Sequence, residues 1–377
     1  MRKQTGLYVL FAAVSLLLTG CLGTPRTETM IMDDAEQRSS DEDEATLFNV
    51  ETIYTVLDGD KQALFPIGWI DDSSLLGITP AYRTHFDRVN EPYAARQKLL
   101  GPSPFQAEGT YNSIVLSPDR RQVSYVDMTD NAMELKLHSL SDGGNTRIEI
   151  TRSKSIYFTQ MSWSNNSRFF SYADSDETDG STTLLFVYDR MKEKTKGYTL
   201  PVSQSNEWVW FVSVSDNGED AVIVKTSGRD SMMEWGKLNG DAFIPQYRHP
   251  ISTDGRVEWI HPDQIAFVGA DGTLYAYDQR NRLLSAMLND VGRFRLSDDR
   301  KFIAYTQGDA VYAASMYGNT VLNRKQIYKG IEAYGMEWSP TNGKLLVNGL
   351  RPGSPQAARE ILSAAAPVSQ SLVIAFK

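Results

Sequence analysis

The sequence predicts an all-β fold, a β-propeller of four-stranded antiparallel blades. Three observations predict it. One hairpin phrase occurs seven times, its copies follow one another at near-constant spacing, and helical signals are nearly missing from the 377 residues. A period in the forties is the length of one four-stranded propeller blade.

The copies are "IGWIDDSSLLGIT" from Ile67, "IVLSPDRRQVSYVD" from Ile114, "MSWSNNSRFFSYAD" from Met161 and "VSVSDNGEDAVIVK" from Val212. They continue with "VEWIHPDQIAFVG" from Val257, "FRLSDDRKFIAYT" from Phe294 and "MEWSPTNGKLLVNG" from Met336. An anchor residue sits at the same place in each: Trp69, Leu116, Trp163, Val214, Trp259, Leu296 and Trp338. The steps between anchors are 47, 47, 51, 45, 37 and 42 residues.

Each phrase reads as two strands and a turn. Apolar residues alternate up to the anchor, as in a strand with one buried side. Ser-Pro, Ser-Asp or Ser-Asn then opens a tight turn, because these residues bond nearby backbone or preset φ. A second strand rich in Val, Ile, Phe and Tyr returns. Third and fourth strands follow in several repeats, as in "TLLFVYD" (Thr183–Asp189) before "YTLPV", and "TLYAYD" (Thr273–Asp278) before "LLSAML". The third and fourth strands of the first copy are poor between Thr79 and Tyr111. Seven blades are favoured, and six blades with an N-terminal extension are the alternative. Closure of the ring assigns Val50–Leu57 to the outer strand of the last blade, beside Ser371–Phe376, since an open ring leaves unpaired strand edges. Only Ser354–Ala366 carries a helical pattern, enough for a turn or two.

The phrase resembles the W-S-P-D-G-K signature of TolB-like and WD40-like bacterial propeller repeats. Within that group it is most similar to the YqgU-like propeller lipoproteins of Gram-positive bacteria, which carry no assigned activity. The resemblance covers residues 47–377. The Gly-His and Trp-Asp marks of eukaryotic WD40 repeats are missing, so the scaffold roles of that family are not implied.

The N-terminus gives an address. Arg2 and Lys3 precede an apolar run from Leu7 to Leu18, too short to stay as a spanning helix, which needs about 20 apolar residues. Leu18-Thr19-Gly20-Cys21 resembles a lipobox, which implies a signal peptide over 1–20 and acylation of Cys21, with palmitate among the chains. Cys21 is the only cysteine, so an internal disulfide does not account for it. Residues 22–46 hold eight acidic residues, two arginines and no aromatic, the composition of a flexible tether. The propeller domain is placed at 47–377. The expected location is the extracytoplasmic face of the cell membrane, held by two or more acyl chains.

Charge and motifs narrow the function. The net charge is −9, or −11 without Arg2 and Lys3, and no basic cluster marks a nucleic-acid face. The four histidines, His85, His138, His249 and His261, have no metal-ligand spacing. There is no Gly-x-Ser-x-Gly elbow, Walker A loop or Rossmann glycine pattern. Asp174, Asp176 and Asp179 in "ADSDETDGST" are the best metal candidates, for calcium, but the glycine falls one place late for an EF-hand. An acidic hairpin loop is the preferred reading, and no cofactor is expected. Loops on one face carry Trp208, Arg229, Trp235, Tyr247 and Arg248, residue types common among binding anchors, set against ordinary packing within the blades. The resulting expectation is a monomeric, non-catalytic platform binding a protein, peptide or glycan of the envelope. The rivals are an envelope glycan hydrolase or lyase with carboxylates at the channel, and an assembly factor in a lipoprotein complex.

Overall fold

A computed structural model describes residues 47–57, 64–79, 85–99, 114–129, 132–148, 161–175, 183–201, 207–253, 256–351 and 369–377. Cys21, Asp176, Asp179 and the helical pattern at 354–366 lie outside them. The described residues form strands and turns, with no helix.

The chain begins with β1 (Val50–Thr55). The first four-strand unit is β2 (Phe65–Asp71), β3 (Ser74–Thr79), β4 (His85–Asn90) and β5 (Arg96–Lys98). The second is β6 (Val115–Leu116), β7 (Gln122–Thr129), β8 (Ala132–Ser139) and β9 (Asn145–Ile148). The third is β10 (Ser162–Trp163), β11 (Phe169–Ser175), β12 (Thr183–Asp189) and β13 (Lys194–Thr199). The fourth is β14 (Trp208–Val214), β15 (Asp220–Ser227), β16 (Asp230–Asn239) and β17 (Ala242–Ile251). The fifth is β18 (Val257–His261), β19 (Gln264–Val268), β20 (Leu274–Asp278) and β21 (Leu283–Leu288). The sixth is β22 (Phe294–Leu296), β23 (Phe302–Gln307), β24 (Ala310–Tyr317) and β25 (Thr320–Lys329). The last joins β26 (Glu332–Trp338), β27 (Lys344–Leu350) and β28 (Ser369–Phe376) to β1.

Within every unit the strands pair antiparallel in chain order. The last unit is completed from the other end of the chain: β1 pairs antiparallel with β28, Ile53 opposite Ile374 and Tyr54 opposite Val373. This is the closure expected from the alternation in Val50–Leu57, and it caps an edge that would otherwise stand open.

Two of the units are joined at their rims. Five units are separate four-stranded sheets, but the third and fourth merge into one sheet of eight strands. Their outer strands β13 and β17 meet in a single parallel pair, Thr199 with Ala242. The Thr199 amide donates to the Asp241 carbonyl at 2.8 Å, and Lys196 Nζ donates to the Gly240 carbonyl at 2.6 Å. The β16–β17 turn therefore reaches over the rim of its neighbour. The first phrase also leads a full four-stranded sheet, because β4 and β5 form despite their weak alternation.

The core lies between the units, one apolar cluster per neighbouring pair. Trp69, Leu75, Val89 and Tyr93 of the first unit pack on Leu346 and Val373 of the last, so the ring is packed all the way round. The tryptophan anchors explain part of this adhesion. Trp69 Nε1 donates to the Glu337 carbonyl at 2.8 Å, and Trp338 Nε1 to the Arg295 carbonyl at 3.1 Å. Trp259 Nε1 donates to Ser213 Oγ at 2.9 Å. Each of these three indoles fills the gap beside the preceding unit and satisfies its own N–H on that unit's first strand.

The repeated serine closes the turn. Oγ of Ser117, Ser164, Ser215, Ser297 and Ser339 accepts the amide five residues on, at 2.9–3.1 Å. The fourth turn residue has a left-handed backbone: Arg120, Ser167, Gly218, Arg300 and Asn342 have φ between 59° and 74°.

Candidate functional site: the central channel

The first strands of all the units line a central cavity of about 690 Å³, within the range typical of small-ligand pockets. Its wall is apolar in Phe65, Trp163, Phe211 and Tyr334, with a compact charged group set into it. Four arginines, Arg120, Arg256, Arg295 and Arg300, meet three carboxylates, Glu258, Asp298 and Glu337. The lining is thus net positive in a chain of charge −9.

Glu258 is the hub. Its carboxylate takes Arg295 Nη1 at 3.2 Å, the Leu296 amide at 3.1 Å and Arg256 Nε at 3.4 Å. Arg295 reaches on to Glu337 at 2.7 Å. Burial opposes the negative charge of Glu258, but Arg295, Arg256, Arg300 and the Leu296 amide together outweigh it and hold its carboxyl below the usual glutamate range. Burial likewise opposes the charge on Arg295, and the carboxylates of Glu337 and Glu258 overcome it, raising its pKa. Arg256 goes the other way. Crowding by the surrounding channel wall and then the charge of Arg295 lower its pKa, with only partial relief from Glu258 and Glu337. Its two ion pairs are long, 3.4 and 3.7 Å, and 45 % of its side chain stays open. Arg300 is lowered by burial above all. Its Nη1 donates to the Ser297 carbonyl at 2.7 Å, and among the described residues it makes no ion pair.

The turn end of the channel is bridged. Arg120 in the second unit forms an ion pair with Asp298 in the sixth. Asn165 Nδ2 in the third donates to the Trp259 carbonyl in the fifth at 3.1 Å. Around the rim the Asp119 amide donates to Ser167 Oγ at 2.8 Å, the Asn166 amide to Asp216 at 2.7 Å and the Thr341 amide to Asp72 at 2.9 Å. The opposite mouth, at the starts of the first strands, carries Phe65, Arg256 and Tyr334.

The five residues expected on a binding face do not come together. Trp235 is a correction: it is fully buried, edge-on to Trp259 at 5.4 Å and Tyr277 at 5.5 Å. The cause is its parity in β16, which turns it toward the fifth unit. Tyr247 sits opposite it on β17 and stacks on Tyr277 at 3.7 Å, a packing role. Arg248 Nε pairs with Glu234 at 2.9 Å. Tyr247 and Arg248 border a shallow recess with Pro201 and Pro245 on the outer edge. Arg229 is exposed in the β15–β16 turn, where its carbonyl accepts Thr253 Oγ1 at 3.2 Å. Trp208 alone is an exposed aromatic, 53 % open and edge-on to Trp210 at 5.6 Å. Asp174, the described member of the calcium candidates, is buried at the end of β11.

Sequence reasoning missed the channel arginines. A signal was present: "SPDRRQ" and "SDDRKF" put Arg120 and Arg300 where the repeat signature has glycine.

No family model matches the chain, and no curated protein matches it in sequence. Solved structures do match in fold. An oligogalacturonate lyase in complex with manganese superposes with a TM-score of 0.58 at 10% identity, covering 86% of this chain and 91% of that one. Oligogalacturonate lyase from Vibrio parahaemolyticus gives 0.55 at 8% identity, covering 86% and 96%. TolB from Acinetobacter baumannii gives 0.40 at 14% identity over 59% of this chain and 53% of its own, a distance too great to bear on function. Manganese belongs to the lyase. Here no three His, Cys, Asp or Glu side chains are arranged to hold a metal ion among the described residues, and guanidinium groups already occupy the channel carboxylates. At these identities the likeness establishes the β-propeller fold and nothing finer.

Proposed function

We propose that the protein is a lipid-anchored, extracytoplasmic binding platform of the cell envelope that receives its ligand in the central channel without transforming it. The reading joins three lines of support: the lipobox-like Leu-Thr-Gly-Cys, the likeness of the repeats to YqgU-like propeller lipoproteins, and the channel itself. The observation that carries it is the geometry at Glu258, whose carboxylate is taken up by Arg295, Arg256 and the Leu296 amide. Glycoside cleavage needs a carboxyl group kept protonated as general acid, with its pKa raised. The guanidinium groups around Glu258 do the reverse. Its role is to hold arginines in place, which suits recognition.

Two experiments test this. Cys21→Ser should move the protein from the detergent phase to the aqueous phase, or block signal processing. Identical partitioning of both proteins into the aqueous phase removes the anchor. A photocrosslinker at Tyr334, on the channel mouth, should yield adducts in native membranes. The same group at Met191, exposed in the β12–β13 turn, should not. Equal yields, or none from Tyr334, would overturn the channel as the binding site.

A further inference from the structure

We propose that the channel is an anion site, in which Arg256 and Arg300 engage a carboxylate or phosphate group of the ligand. This rests on the channel being the binding site and specifies the chemistry it accepts.

Three independent observations lead there. First, both arginines line one cavity that is bridged at its turn end. Arg120–Asp298 and Asn165–Trp259 cross it there, and the charges of both Arg256 and Arg300 act on the same carboxylate, Glu258. Second, these two guanidinium groups are under-used. A guanidinium has five N–H donors in a planar fork suited to carboxylate and phosphate oxygens. Arg256 has only two long ion pairs, and Arg300 only a backbone carbonyl. Arg295, by contrast, is spent on Glu258 and Glu337. Oxyanion oxygens would fill the remaining donors and relieve the mutual repulsion that the three carboxylates leave uncancelled.

Third, the left-handed position of this turn, held by glycine in one copy and by Ser167 and Asn342 in others, carries an arginine in two. Arg300 has φ +61° and Arg120 +60°, at the turn position where the fourth unit has Gly218 at +74°. Glycine adopts this conformation freely, and other side chains do so at a cost. Arg120 has a structural use, the bridge to Asp298. Arg300 has no such bridge among the described residues. A residue in this backbone conformation, whose guanidinium makes one local hydrogen bond and lines a cavity, fits a ligand contact.

Isothermal titration of the full chain in detergent tests the proposal, with inorganic phosphate and glucuronate as probes and glucose as the neutral control. At least one anion should bind saturably and glucose should not. The stronger anion identifies the source, phosphate or carboxylate. Arg256→Gln should weaken binding about tenfold, the scale of one charge-assisted contact pair. Arg300→Gly should weaken it comparably while leaving the melting temperature unchanged or higher, because glycine relieves the left-handed backbone. That combination separates a ligand contact from a structural arginine. Failure of both anions to bind, unaltered affinity in Arg300→Gly, or a fall of several degrees in its melting temperature would overturn the proposal. Crosslinking from Tyr334 would in that case still stand for the channel as a site for a neutral ligand.

Discussion

Replacing Trp235 with alanine tests the packing account at its most buried indole. The ring is fully enclosed between the fourth and fifth units. A tryptophan buries about 150–250 Å², and at about 25 cal/mol per Å² its transfer is worth roughly 4–6 kcal/mol. Large-to-small core changes of this kind cost about 3–5 kcal/mol. Loss of the hydrogen bond from Trp235 Nε1 to Asp220 Oδ1 at 3.2 Å adds little, because Lys237 still pairs with Asp220 at 2.8 Å. We expect a destabilisation of about 4 kcal/mol, near the top of the usual range for single substitutions. Trp208→Ala is the matched control, with an expected cost of about 2 kcal/mol, since only about half of that ring is buried. Urea titrations followed by far-UV circular dichroism measure both. A loss under about 1 kcal/mol for Trp235→Ala, or equal losses for the two variants, would refute the assignment of the core.

Other outcomes follow from the same geometry. A chain starting after Leu57 lacks β1 and should aggregate through the bare edge of β28, whereas one starting at Leu47 should stay monomeric; light scattering distinguishes them. The melting temperature should also fall with pH in two stages. His138 is buried against Phe86, and burial lowers its pKa despite its bond to Asn145. The unfolded chain takes up that proton first, so stability is full above about pH 6.5 and declines as pH falls through the lower folded value. His138→Gln should remove this first stage, and a slope that persists in the variant would contradict the assignment. Glu258 follows, with Asp189 and Asp278, whose carboxyls Arg168 and Arg280 hold low. Their contribution is present above about pH 4.3 and is lost as pH falls through their depressed values.

The fold was legible because a strand's side-chain period and a turn's chemistry are local. The tryptophan, the serine and the returning apolar run each act within one hairpin, so seven copies announce the ring. Closure by Val50–Leu57 was legible for the same reason. The merging of β13 with β17 was not, because it depends on the reach of one turn over a neighbouring rim. Trp235 shows the limit for sites. A tryptophan beside Met232 and Arg229 in sequence looks like a surface anchor, but alternation sends its side chain to the opposite face from Met232. The channel group was illegible for a further reason. Arg120, Arg256, Glu258, Arg295 and Glu337 come from four units and meet only at the axis. Only the arginine in the glycine position of the turn was visible locally, and its meaning needed φ.

The most direct measurement of the central claim is a crystal structure of the protein soaked in selenate, located by its anomalous signal. The account predicts selenate in the channel, bound by Arg256 and Arg300, and its loss from the same place in Arg300→Gly. Selenate found only on the outer surface, with the channel free of anomalous signal, would contradict it.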